Sequence, residues 1–99
     1  MSSVYKALAD PTRRRILELL REREMSAGEI ADHFTLAKPT LSGHFAVLKA
    51  GDLVDAEKSG AMVIYRLNLS VLEEALMSLI DVFQLRRDAP APAGREKLA

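Results

Sequence analysis

The stretch Thr35-Leu36-Ala37-Lys38-Pro39-Thr40-Leu41-Ser42-Gly43-His44-Phe45-Ala46-Val47-Leu48-Lys49-Ala50-Gly51 decides how the chain is read. It has the form of a tight turn followed by one short helix. Leu41, Phe45 and Leu48 recur at the i, i+4, i+7 spacing of a single helical side, with Val47 nearby. Lys38, Thr40, Ser42, Gly43, His44 and Lys49 fall largely on the other side, which offers donors and cations but no carboxylate. A DNA groove asks for that surface, because phosphates attract cations and base edges attract donors. Pro39 fits the first helical turn, where its missing N–H is not needed. Ala37 before it has no side-chain acceptor to cap the helix. Gly43 in mid-helix costs about 1 kcal/mol relative to alanine. A helix built against its own propensities suits a binding surface better than a strut.

Upstream, Ser26-Ala27-Gly28-Glu29 is a capping-box sequence, with Met25 and Ile30 at the hydrophobic-staple positions. A helix is therefore expected from Ala27 to about Phe34, burying Ile30, Ala31 and Phe34. With the turn and the helix after it, this makes a helix-turn-helix. Further upstream, Asp10-Pro11-Thr12 is a strong helix start, with an aspartate cap and proline at the first position. That helix is expected to reach about Glu24 and to bury Ile16, Leu17 and Leu20, with Leu19 beside them. Arg13, Arg14 and Arg15 sit in its first turn, where cations oppose the helix dipole. They read either as a solvated side or as a phosphate contact. Ser2 to Ala9 is a short helix, with Val4 and Leu8 on one side, that must pack on something to persist.

Downstream, Leu53–Lys58 and Met62–Leu67 read as two strands around Ser59-Gly60-Ala61, a hairpin with Lys58 near its tip and Arg66 near its base. Ser70-Val71-Leu72-Glu73 is a second capping-box sequence, and a last helix is expected from Val71 to about Arg87. Leu72, Leu76, Leu79 and Phe83 recur at steps of four, three and four, and Val71, Ala75, Ile80 and Val82 widen the stripe. So apolar a helix at the end of a small domain predicts a dimer seam shared with the first helix, built on Val4, Leu8, Leu72, Leu76, Leu79, Ile80 and Phe83. Simple docking onto the chain's own core is the alternative. Asp88 to Ala99, rich in proline and alanine, is expected to be a disordered tail, leaving residues 1–87 as one domain.

The whole chain has 99 residues, no cysteine and two histidines, which excludes a disulfide framework and a thiolate metal site. Lysine and arginine together number 14 and so do aspartate and glutamate, so any affinity for nucleic acid must come from where the charges sit. No segment has the length and apolarity of a membrane span and no signal-peptide pattern opens the chain, so the expected location is the cytoplasm. His33 with Asp32 is too small a ligand set for zinc. No nucleophile–base set or phosphate loop is present, so neither an enzyme nor a cofactor is expected.

The order helix, Asp-Pro-Thr-Arg helix, helix-turn-helix, hairpin wing, helix resembles the ArsR family of bacterial winged-helix repressors. The residues that carry the resemblance are Leu8 to Leu17, Lys38 to Leu48, and Tyr65-Arg66-Leu67-Asn68. Among its members the chain is most similar to the SdpR-type autorepressors, which lack cysteine metal sites. The resemblance implies a mainly α fold with a β-hairpin wing, in the order α-α-α-α-β-β-α. It also implies a homodimer that reads a near-palindromic operator in double-stranded DNA. By position, Lys38, Pro39, Thr40, Ser42, Gly43, His44 and Lys49 would face DNA from the recognition helix, and Lys58 and Arg66 from the wing. A metal-responsive repressor and a protein-binding winged helix are the rival readings. With no metal or thiol chemistry in view, a regulatory protein partner is the expected route to release.

Overall fold

Asp10 opens the second helix by accepting a hydrogen bond from the Arg13 backbone N–H at 3.1 Å, and Pro11 takes the first helical position. The computed structural model describes residues 2–85. Its elements are α1 Ser2–Leu8, α2 Pro11–Glu22, β1 Met25–Ser26, α3 Ala27–Ala31, α4 Lys38–Ala50, β2 Val54–Ser59, β3 Met62–Leu67 and α5 Leu69–Phe83. The fold is mainly helical and is a winged helix-turn-helix. Ile16 of α2, Ile30 of α3, Leu48 of α4 and Leu53 before β2 are fully buried together, so the core sits where the three helices meet the base of the hairpin.

At α3 both halves of the capping box are present. Ser26 Oγ accepts from the Glu29 N–H at 3.1 Å, and the Glu29 carboxylate accepts from the Ser26 N–H at 2.9 Å. The same two residues do a second job that the sequence pattern does not show. Met25 and Ser26 form β1, which pairs with β3 in the registers Met25↔Tyr65 and Ser26↔Ile64. The expected two-stranded hairpin is thus a three-stranded antiparallel sheet in the order β1-β3-β2. Ser26→Ala removes one capping oxygen and is expected to lower unfolding free energy by about 1 kcal/mol in urea titrations.

The hairpin turn is Gly60-Ala61, between the paired Ser59 and Met62. Gly60 sits at φ 61°, the conformation that a tight hairpin turn asks of its first central residue. Gly51 answers a different need. A Cβ there would lie 3.0 Å from the Ser3 carbonyl oxygen, so glycine at 51 lets α1 lie across the end of α4 at a closeness that a side chain would push back by a few tenths of an ångström. Asp52 follows at φ 59° and takes the left-handed turn itself.

Two expectations are corrected. Helix α5 begins at Leu69, not Val71, and the Ser70–Glu73 capping box does not form. Asn68 holds the cap position, and its carbonyl accepts from the Val71 and Leu72 N–H groups at 3.2 and 3.3 Å. The Ser70 hydroxyl instead donates to Asn68 Oδ1 at 3.2 Å. The helix ends at Phe83, and Gln84 turns left-handed at φ 54°. The third helix is also shorter than expected, since two turn residues follow Ala31 before Phe34. The tail expected over residues 88–99 lies outside the described residues.

Candidate nucleic-acid interface

Leu41, Phe45 and Leu48 anchor α4 by burying its inner side. Phe45 is fixed further by stacking on Tyr65 of β3, with ring centroids 4.4 Å apart and planes 24° from parallel. Burial raises the pKa of the Tyr65 phenol, which keeps it neutral. This contact joins the recognition helix to the wing. On the outer side, Lys38, Pro39, Thr40, Ser42, Gly43 and Lys49 are all exposed, with no acidic residue in α4. A Cβ added at Gly43 would meet nothing within 4 Å, so the fold does not require glycine there. Ala37 makes no side-chain cap, and the first turn of α4 keeps the free backbone donors of an uncapped N-terminus.

His44 differs from its neighbours. Its side chain is only 16% exposed and lies against the start of α2. Nδ1 is 3.1 Å from Arg13 Nη1 and 3.9 Å from an Asp10 carboxylate oxygen. The Arg13 backbone N–H, chiefly, holds the Asp10 carboxyl below the usual carboxylate range; the Thr12 N–H and the Arg13 guanidinium add to this. His44 thus makes a hydrogen bond inside the protein through one nitrogen.

The arginines of α2 serve α1 first. Arg13 Nε donates to the Ala7 carbonyl and Nη2 to the Lys6 carbonyl, both at 2.9 Å, while Arg14 Nη1 donates to the Leu8 carbonyl at 2.9 Å. These carbonyls end α1, so cations that oppose the dipole of their own helix close the negative end of the one before it. Arg15 pairs with Glu18 at 2.9 Å, an exposed i, i+3 pair. The sequence had flagged all three arginines, but the acceptors of Arg13 and Arg14 lie across a chain turn that no helical spacing reveals.

On the wing, Lys58 is exposed one residue before the end of β2. Arg66 is exposed too, but it is held by two carboxylates: Nε bonds Glu24 at 2.6 Å and Nη2 bonds Glu57 at 2.5 Å. Those two bonds, Glu57 first, raise its pKa. Arg66 therefore ties β3 to β2 and to the link after α2.

Of the residues expected in a dimer seam, Val4 is 7% exposed and packs in the chain's own core. Leu8 and Leu72 are partly buried against that core, and Leu79 and Ile80 are half-buried. Leu76 and Phe83 stand out at 46% and 64% exposure, joined by Met77, Val82 and Leu85. Ala75 is the one residue of α5 that the chain buries fully. Between α2 and α5 runs an open groove of about 610 Å³, floored by Leu8, Leu17, Leu72 and Leu76 and rimmed by Arg14 and Glu18. Among the described residues, no three His, Asp or Glu side chains come together as a set that could hold a metal, and no helix is long and apolar enough to cross a membrane.

Residues 10–56 match the model of the arsR family of bacterial regulatory proteins. The chain is 42% identical over 76 residues to the transcriptional repressor SdpR of Bacillus subtilis, covering 77% of this chain and 84% of that one. It is 38% identical over 99 residues to the HTH-type transcriptional regulator CmtR of Mycobacterium tuberculosis, covering all of this chain and 83% of the relative. The fold is similar to the crystal structure of a possible transcriptional regulator for arsenical resistance. The TM-score is 0.73 at 34% identity, over 84% of each chain.

Proposed function

The chain belongs to the ArsR family of DNA-binding transcriptional repressors, and from that premise we propose that it acts as a homodimer on a near-palindromic operator, which includes its own promoter. The observation that carries this reading is α4. Its inner side is locked by three buried residues, while its outer side presents Lys38, Thr40, Ser42 and Lys49 without a single carboxylate. In a dimer built on α5, two copies of this helix enter successive major grooves and the spacing of the half-sites follows from the two-fold axis. The first-turn N–H groups of α4 and Lys38 hold phosphate, Ser42 and His44 face base edges or backbone, and Lys58 follows the backbone from the wing. Repression then results from occupancy of the promoter, and needs no chemistry.

Fluorescence anisotropy with fragments of the chain's own promoter tests this. Lys38→Ala is expected to weaken binding about tenfold on every fragment and to lower the slope of log affinity against log salt by about one, as loss of one phosphate contact does. Unchanged affinity and slope would remove Lys38 from the interface. Absence of any preference among promoter fragments would favour a protein-binding role for the exposed α5 instead.

A further inference from the structure

The Arg13 guanidinium holds three acceptors at once: the Lys6 and Ala7 carbonyls that end α1, and His44 Nδ1 on α4. A guanidinium has only donors and stays protonated in proteins, so the imidazole nitrogen facing it must be the bare acceptor. The single proton of the neutral ring is thereby placed on Nε2. Asp10 does not compete for it, since 3.9 Å from Nδ1 is too long for a hydrogen bond. Nε2 makes no bond within the protein, and among the described residues no side-chain nitrogen or oxygen is fully buried without a partner, so Nε2 is not sealed from solvent.

We infer that Arg13 is a positioning residue for DNA recognition: it locks the His44 ring and its tautomer so that α4 presents an Nε2–H donor outward to an acceptor on DNA. The inference rests on the proposed placement of α4 against DNA. Arg13 acts through His44 and does not touch DNA. It also ties the ring's orientation to the end of α1, so a shift of α1 reaches the recognition helix through one side chain. The acceptor is a phosphate oxygen or a purine edge, and both take the same donor.

A double-mutant cycle separates this from a direct phosphate contact by Arg13. Anisotropy titrations compare the wild type, Arg13→Ala, His44→Ala and the double variant on operator and on scrambled duplex, with thermal melts confirming that each folds. Each single change is expected to weaken operator binding about tenfold, as loss of one oriented contact does. The double variant is expected to bind no worse than His44→Ala, because residues acting in series are not additive. The salt slope of Arg13→Ala is expected to stay at the wild-type value. Loss confined to the operator assigns the acceptor to a base edge, and equal loss on both duplexes assigns it to a phosphate. Additive losses with a slope lowered by about one would overturn the inference and make Arg13 a phosphate contact.

Should Arg13→Ala fail to fold, His44→Gln and His44→Asn decide with Arg13 intact. The Gln amide reaches about where Nε2 lies and the Asn amide about where Nδ1 lies. Binding within a few-fold of wild type for Gln, against about tenfold loss for Asn, supports the inference. Equal losses, or a better Asn variant, overturn it. A wild type that prefers no duplex would instead refute the DNA-facing placement of α4.

Discussion

Leu76→Glu combined with Phe83→Glu is expected to give a folded monomer that has lost its operator. Both side chains are largely exposed in the single chain, at 46% and 64%, so their replacement removes little from its own core. The only residue of α5 that is fully buried, Ala75, is untouched. In a two-fold seam each glutamate meets its own copy or a close neighbour, and charges buried against apolar surface without partners are strongly unfavourable. Loss of the seam separates the two recognition helices, and each must then bind its half-site alone. Tethered half-sites gain about a hundredfold or more in affinity over single ones, so operator binding is expected to fall by at least that factor. Sedimentation velocity reads the mass and circular dichroism the fold. A variant that stays dimeric and keeps operator affinity would exclude α5 as the seam.

Leu48→Ala has the largest expected effect on stability. Leu48 is fully buried on the inner side of α4, in the same core as Ile16, Ile30 and Leu53, and its carbonyl accepts from the Leu53 N–H at 3.0 Å. Truncating a leucine at such a site costs about 3 kcal/mol, combining lost transfer energy with the cavity left behind. Small domains hold about 5–10 kcal/mol in all, so a third or more of the stability goes. A fall in Tm of roughly 10–20 °C is expected for a chain of this size. Lys49→Ala, one residue on and exposed, is the control and is expected to stay within about 0.5 kcal/mol of wild type. Scanning calorimetry on the two variants measures how sharply the inner and outer sides of α4 divide the work of folding from the work of binding.

Local signals were legible. Asp10, Ser26 with Glu29, and Gly60 each act within four residues of themselves, and each adopts the conformation its neighbours imply. The inner triplet of α4 was equally plain, because helical period and burial agree there. The Ser70–Glu73 signature failed for an instructive reason. Asn68, two residues earlier, takes the cap position at the end of β3, and a helix that starts at Leu69 has already passed Ser70. The strand β1 was invisible because two residues carry no period, and its partner Tyr65 lies 40 residues away. The ion pairs of Arg66 are hidden in the sequence for the same reason. Glu24 is 42 residues from it in sequence, and ion pairs of that separation leave no trace in spacing. Arg13 shows the limit from the other direction. Its misfit with the dipole of α2 was readable, but the carbonyls of α1 and the imidazole of α4 that resolve the misfit were not. The apolar stripe of Val4 says nothing about whose surface it covers, and in the single chain it covers the core.

The pairing of Met25-Ser26 with β3 has a consequence for binding kinetics. It fastens the start of α3 to the wing, while the Phe45–Tyr65 stack fastens α4 to the same strand. Helix-turn-helix and wing therefore form one preorganised body, and few backbone torsions are expected to freeze when it docks. Little loss of conformational entropy at encounter is expected, with association limited by diffusion and orientation and not by rearrangement, which stopped-flow mixing with operator duplex checks. Differences in affinity among operators should then reside in how long the complex lasts, and anything that releases the protein must loosen that shared strand or block the body as a whole.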